Sequence, residues 1–161
     1  MQIMRLLSSL AISMLLIACS TTVTNRTALP QNAIGTMKFE GVEVVRGNSG
    51  ITAEEMDRLR MGLTDRLTKL PQGMQAVKLQ VTVTEFSVES GATRFFAGAL
   101  AGANNMTVAV KVMNLSGETM ADFDVVRSSN PGGYGAFYDQ KAATIDTVAD
   151  GVADVMSGML K

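Results

Sequence analysis

The polarity of this chain switches between two periods, and the switches mark out its elements. From Thr36 to Arg46, Met37 and Phe39 alternate with polar residues, and Val42 and Val44 resume the alternation out of phase. A half-buried strand reads this way, with a β-bulge near Gly41 absorbing the slip. Residues 53–70 instead repeat Met56, Leu59, Leu63, Leu67 and Leu70 at helical spacing, one apolar stripe. Thr52 is an N-cap, Glu55 completes a capping box, and Ile51 and Met56 can close a hydrophobic staple across it. Pro71 and Gly73 stop the helix. Asp57, Arg58, Asp65, Arg66 and Lys69 fall on its opposite face and read as solvated.

Period two returns from Ala76 to Glu89, with Val77, Leu79, Val81 and Val83 inward and a phase change after Glu85. Thr107–Met113 and Thr119–Arg127 repeat it on either side of a Ser116-Gly117 turn. Over residues 140–160 a helical period sets Ile145, Val148, Val152, Val155, Met156 and Met159 on one face and Asp146, Asp150 and Asp154 on another. Gly151 costs that helix about 1 kcal/mol, which reflects either close contact with a neighbour or simple tolerance. The order β-α-β-β-β-α predicts an α+β domain over residues 35–161. Its sheet is mainly antiparallel, of about four strands, with both helices on one face. The other face is left wet or available to a partner.

The first 34 residues do not follow either period. Met1–Arg5 carries one positive charge, and Leu6–Ile17 is an apolar run within the ~7–15 residues of a signal h-region, short of the ~20 of a spanning helix. The run ends in Leu16-Ile17-Ala18-Cys19, which resembles the lipobox of bacterial lipoprotein precursors. That resemblance implies a diacylglycerol thioether on Cys19, cleavage between Ala18 and Cys19, and acylation, for example with palmitate, of the new α-amino group. One acyl chain holds a protein only marginally, whereas two or three hold it stably, at ~0.8 kcal/mol per buried methylene. By the same resemblance, Ser20 rather than aspartate implies the periplasmic side of the outer membrane, with the inner membrane as the alternative. Residues 1–18 thus read as a signal peptide. Residues 19–34 read as a lipidated N-terminus and flexible polar tether, reaching roughly 20 Å. An ordinary secretory leader with an incidental cysteine is the competing reading.

Composition narrows the chemistry. The chain has no histidine, so the commonest general base and metal ligand are missing. Its single cysteine cannot form an internal disulfide. The net charge of −1 becomes −2 without Arg5, which does not suit a nucleic-acid partner. Gly47-Asn48-Ser49-Gly50 lacks the spacing of a nucleophile elbow and reads as a turn. Asp122 and Asp124 read as exposed positions of an amphipathic strand. Met156-x-x-Met159 has ligand-like spacing, but thioethers on a core face are packing material far more often than metal ligands. We therefore expect no catalytic residue, no cofactor and no metal.

Two stretches remain, and both are apolar where connections are usually polar. One runs from Ser90 to Asn104, with Phe95, Phe96 and a Gly98-x-x-x-Gly102 spacing. The other runs from Asn130 to Tyr138, with Tyr134, Phe137 and Tyr138. These aromatic and glycine residues are the candidate interaction positions. Too short to span a bilayer as a helix, and with no second segment to complete a hairpin, the first reads as a close-packed turn or short helix. A strand ending in Glu-Phe, then Thr-Arg-Phe-Phe-Ala-Gly-Ala-Leu-Ala-Gly-Ala-Asn, then a Gly-rich aromatic turn before an Ala-rich helix, resembles a family of small envelope lipoproteins catalogued as a domain of unknown function. That likeness extends over most of residues 35–160 and brings no activity with it. The element order is also similar to the periplasmic module of curli-secretion lipoproteins and the N-terminal domain of Tol-system β-propeller proteins. The expectation is a non-enzymatic envelope lipoprotein, anchored through its lipid, that interacts with another envelope protein or with itself. The alternative is a ring-forming lipoprotein whose 90–104 segment contacts or inserts into the membrane, and an enzyme of unknown type ranks third.

Overall fold

The computed structural model describes residues 19–88, 103–129 and 139–160. In chain order these form β1 (Cys19–Thr27), a 3-10 turn (Gln31–Ala33), β2 (Met37–Arg46), α1 (Ala53–Lys69), β3 (Gln75–Ser87), β4 (Asn104–Asn114), β5 (Thr119–Ser129) and α2 (Gln140–Met156). The strands make one sheet in the order β1-β5-β4-β3-β2. Three of its pairings are antiparallel, whereas β2 and β3 run parallel because α1 carries the chain back between them.

Both helices cover one face, α1 against β2 and α2 against β4 and β5. Beneath them lie Val77, Leu79, Val81 and Val83 of β3, Val108, Val110 and Val112 of β4, and Ala121, Phe123 and Val125 of β5, all essentially inaccessible. Leu59, Leu63 and Leu67 of α1 and Ile145, Val148 and Val152 of α2 close the core from above. At ~1.5–3 kcal/mol per fully buried side chain, this stripe-on-stripe contact is the main stabilising term. The expected bulge shows as a register shift between Phe39 and Gly41, and the phase change near Glu85 as a shift between Val83 and Glu85.

The sheet, expected to be mainly antiparallel with about four strands, is mainly antiparallel and has five. Residues 19–27, read from sequence as part of a tether, form an edge strand paired with β5 from Cys19–Ser129 to Thr27–Asp122. Two kinds of contact hold them there. Val23 packs against the core, and the chain beyond β1 buries Leu29 and Ala33 as it crosses to β2. On the open face, Arg26 reaches both Asp122 and Asp124, with Nε–Oδ1 2.8 Å and Nη1–Oδ2 2.6 Å. The two strand carboxylates are therefore one side of a cross-strand clamp, where the sequence pattern left them simply exposed.

The helix faces also differ from expectation. Arg58 and Arg66 of α1, assigned to a solvated face, turn toward α2 and pair with Asp146 and Asp150. Aspartates four residues apart on α2 stand above each other, so they meet arginines along the facing helix. Met159, expected on the α2 stripe, is 71% exposed, because the helix ends at Met156 and the chain turns through Gly158 at φ +80°. Gly151 sits where the helix passes over β5. A Cβ there would lie 3.0 Å from both Val125 Cγ1 and Arg127 Nε, so close contact is the correct account of that glycine.

The capping box of α1 is complete: Thr52 N–H donates to Glu55 Oε2 at 2.8 Å, and Glu55 N–H donates back to Thr52 Oγ1. Lys141 Nζ of α2 donates to Glu55 Oε1 at 2.7 Å. Burial pushes the Glu55 carboxyl up, but Lys141 and the Thr52 N–H outweigh it, leaving the group below its ordinary value of 4.5. A carboxyl depressed on folding stabilises above its unfolded pKa and loses that contribution as pH falls through the folded value. Glu55→Gln keeps the amide acceptor of the box but removes the charge. Its stability deficit against the unmodified chain is expected to be largest at pH 6–7, by about 1 kcal/mol, and to shrink below pH 4.5. Thermal melts of both proteins from pH 7 to pH 3 read this directly, and a deficit independent of pH would exclude the charge effect.

Candidate anchor end and interaction surfaces

The sheet register brings the candidate regions to one end of the domain. Cys19 pairs with Ser129, Ser129 with Asn104, and Asn105 with Ser87. The first residue of β1, the last of β5, the first of β4 and the last of β3 thus stand side by side. The residues flanking both apolar stretches belong to this end. Phe95, Phe96, Gly98, Gly102, Tyr134, Phe137 and Tyr138 themselves, with Ala18 of the expected cleavage site, lie outside the described residues.

Two polar contacts fix this end. Asn104, only 1% exposed, donates from Nδ2 to Gln140 Oε1 at 2.9 Å, tying the start of β4 to the start of α2. Asp139 caps α2 by accepting from Ala142 N–H at 2.9 Å. Further along, Arg127 lies on the helix-covered side of β5, its Nη2 3.6 Å from Asp154 Oδ2. Residues of β1 that would begin a long tether are here backbone-paired from residue 19 onward.

The concavities do not resemble reaction sites. The largest described one, of about 380 Å³, runs between the N-terminal ends of the helices and is lined by Thr52, Glu54, Glu55, Arg58, Asp139 and Lys141. Its principal charges are paired within the protein, Glu55 with Lys141 and Arg58 with Asp146. A second, of about 190 Å³, lies where Leu29 and Ile34 pass Val155 and Leu160. Among the described residues no group of three or more acidic or cysteine side chains is placed to hold a metal ion. No described helix is long and apolar enough to cross a membrane. Met156 and Met159 do not form a ligand pair, because one is buried and the other points to solvent.

The open face of the sheet and its two edges are what remain. The open face carries Lys78, Gln80 and Thr82 of β3, Thr107, Ala109 and Lys111 of β4, and the clamp of Asp122, Asp124 and Arg26. Its edges are β1 and β2. Sequence reasoning missed the first of these. The β-branched run Thr21-Thr22-Val23-Thr24 was the available signal.

No curated protein matches this sequence. Among solved structures, the PelC dodecamer from Paraburkholderia phytofirmans in space group P6 is similar at a TM-score of 0.54 and 12% identity, covering 86% of this chain and 99% of that one. A single-substitution variant of the same dodecamer, in space group C2, gives 0.53 and 14%, covering 86% and 98%. A candidate lipoprotein from Caulobacter crescentus CB15 is 20% identical over 73% of this chain and 89% of that one, at a TM-score of 0.42. At these identities the likeness to the dodecamers is one of fold. Residues 56–133, which run from α1 through β3, β4 and β5 and include the 93–104 segment, match the family described as Domain of unknown function (DUF4410), so that just under half of this chain is similar to that family.

Proposed function

We propose that this chain is a non-enzymatic lipoprotein of the bacterial envelope, held at the periplasmic side of the outer membrane by lipid on Cys19, where it serves as an interaction and assembly module. The observation that carries the reading is that residue 19 is itself part of β1, backbone-paired with Ser129. A lipid on that residue joins the sheet with no intervening linker. The anchored end is then also the end flanking the two apolar stretches, and it faces the bilayer. The absence of histidine and the internal pairing of charges in the groove between the N-terminal ends of the helices favour binding over catalysis.

A ring-forming lipoprotein is the second reading, and one observation favours it: the similar PelC structures are dodecamers. Many copies tethered to one membrane share one orientation, which suits cyclic assembly about an axis normal to the bilayer. The test is to extract the lipidated protein in mild detergent and measure its mass by light scattering. A discrete homo-oligomer supports self-assembly. A stoichiometric complex with one envelope protein supports the interaction module without it. A monomer that associates with nothing overturns both.

A further inference from the structure

Both edges of the sheet end in strands without a described backbone partner on their outer side: β1 over Cys19–Thr27 and β2 over Met37–Arg46. Such strands are templates for another chain, and proteins usually blunt them with lysine, proline or a bulge. β1 has neither lysine nor proline, and Thr22 and Thr24 are exposed on it. In each edge the irregularity is confined to one part: the shift at Asn25/Thr27 in β1 and at Phe39/Gly41 in β2. Regular stretches of backbone, Cys19–Asn25 and Val42–Arg46, are left on opposite edges of one molecule.

We propose that copies of this chain join edge to edge, β1 of one molecule pairing antiparallel with β2 of the next, so that the sheet continues through the assembly. The inference rests on the reading above, since it names the surface through which a lipid-anchored chain self-assembles. The anchor selects this pairing over the alternatives. An edge paired with its own copy across a two-fold axis runs antiparallel to itself. Two β1 strands of nine residues would then carry their Cys19 residues to opposite ends, about 30 Å apart along the strand, and one bilayer could not hold both upright. Within one molecule, β1 starts at the anchored end and β2 finishes toward it, since Arg46 is level with Val83 and Val83 with Val108 and Val125. An antiparallel β1–β2 contact between molecules therefore keeps every Cys19 at the same end. It is also head-to-tail, the class of contact that closes into rings. The open faces of the joined sheets stay on one side and the helices on the other.

The test uses the full lipidated chain, whose only cysteine is occupied by lipid. Thr22 and Thr24 of β1 and Glu43 and Val45 of β2 all lie on the open face, opposite Val126, Asp124, Gln80 and Thr82. Thr22→Cys is combined with Val45→Cys, and in a second protein with Glu43→Cys, and each is treated with a short thiol-specific crosslinker. Hydrogen exchange of the unmodified assembly provides a readout that does not depend on register. The expected result is a ladder of dimers, trimers and higher species in a double variant and none in the single variants. Amides on the β1 and β2 edges are also expected to be protected to the level of β4. Dimers that stop at two in Thr22→Cys alone would overturn the proposal in favour of a two-fold contact. An oligomeric protein whose β1 and β2 amides exchange as free edges would overturn edge pairing and leave self-assembly standing. A monomeric protein would remove both.

Discussion

Cys19→Ala protein is expected to incorporate no lipid and to leave an uncleaved or soluble product, the largest effect of any single substitution in this chain. The thiol is the only atom in the molecule able to form the thioether, because the sequence holds one cysteine. Alanine differs from it by that one atom, and residue 19 contributes its backbone to the pairing with Ser129, so the sheet should be unaffected. Attachment by two or three acyl chains is strong enough that its loss reads as all or none. The measurement is radiolabelled-lipid incorporation together with membrane fractionation after a high-salt wash. A variant that has lost its leader yet stays with the washed membranes without incorporating lipid would show that something else anchors the protein.

The second large effect is on stability. Leu63→Asp places a carboxylate where Leu63, fully buried in α1, meets the core. An uncompensated buried charge costs roughly 3–5 kcal/mol, which for a domain of this size lowers Tm by on the order of 10 °C. Thr64→Asp is the matched control, introducing the same side chain one residue along on the exposed face of α1. It sits one turn from Arg60 and is expected to shift stability by no more than about 0.5 kcal/mol. Arg66→Asp, which the sequence pattern alone would have made the neutral comparison, is unsuitable. It would set a second carboxylate against Asp150 and remove one of the ion pairs between the helices, leaving Arg58–Asp146 and Lys141–Glu55. Equal melting temperatures for Leu63→Asp and Thr64→Asp would mean that the Leu59–Leu63–Leu67 stripe does not face the core.

How far the fold was legible depended on how apolar each element's inward face is. β3 presents four valine and leucine residues in strict alternation and α1 repeats leucine every third or fourth position, so each declares its period. The capping box at Thr52 and Glu55 needs only local chemistry, and the structure contains both of its hydrogen bonds. β1 is the contrasting case. An edge strand buries little, and among its described side chains Val23 is the apolar one packed on the core, set among threonines, so its pattern does not differ from that of a polar linker. Its partners, Asp122 and Asp124, are almost a hundred residues away, and no local spacing joins them to Arg26.

The candidate site divides the same way. The expectation of lipid on Cys19 needs only local sequence, because the leader and the lipobox-like Leu16-Ile17-Ala18-Cys19 are contiguous. That residue 19 lies in a strand, and that it stands beside the ends of β3, β4 and β5, follows only from strand register. By itself the sequence determined the periods of its strands and helices, the caps of α1 and the absence of histidine chemistry, each a matter of neighbours within a few positions. The tertiary structure decided the fifth strand, the inward turn of Arg58 and Arg66, the Arg26 clamp and which two strands form the edges of the sheet. Those depend on which distant backbones pair and which faces meet, and such contacts are selected by the burial of the whole core rather than by any one segment.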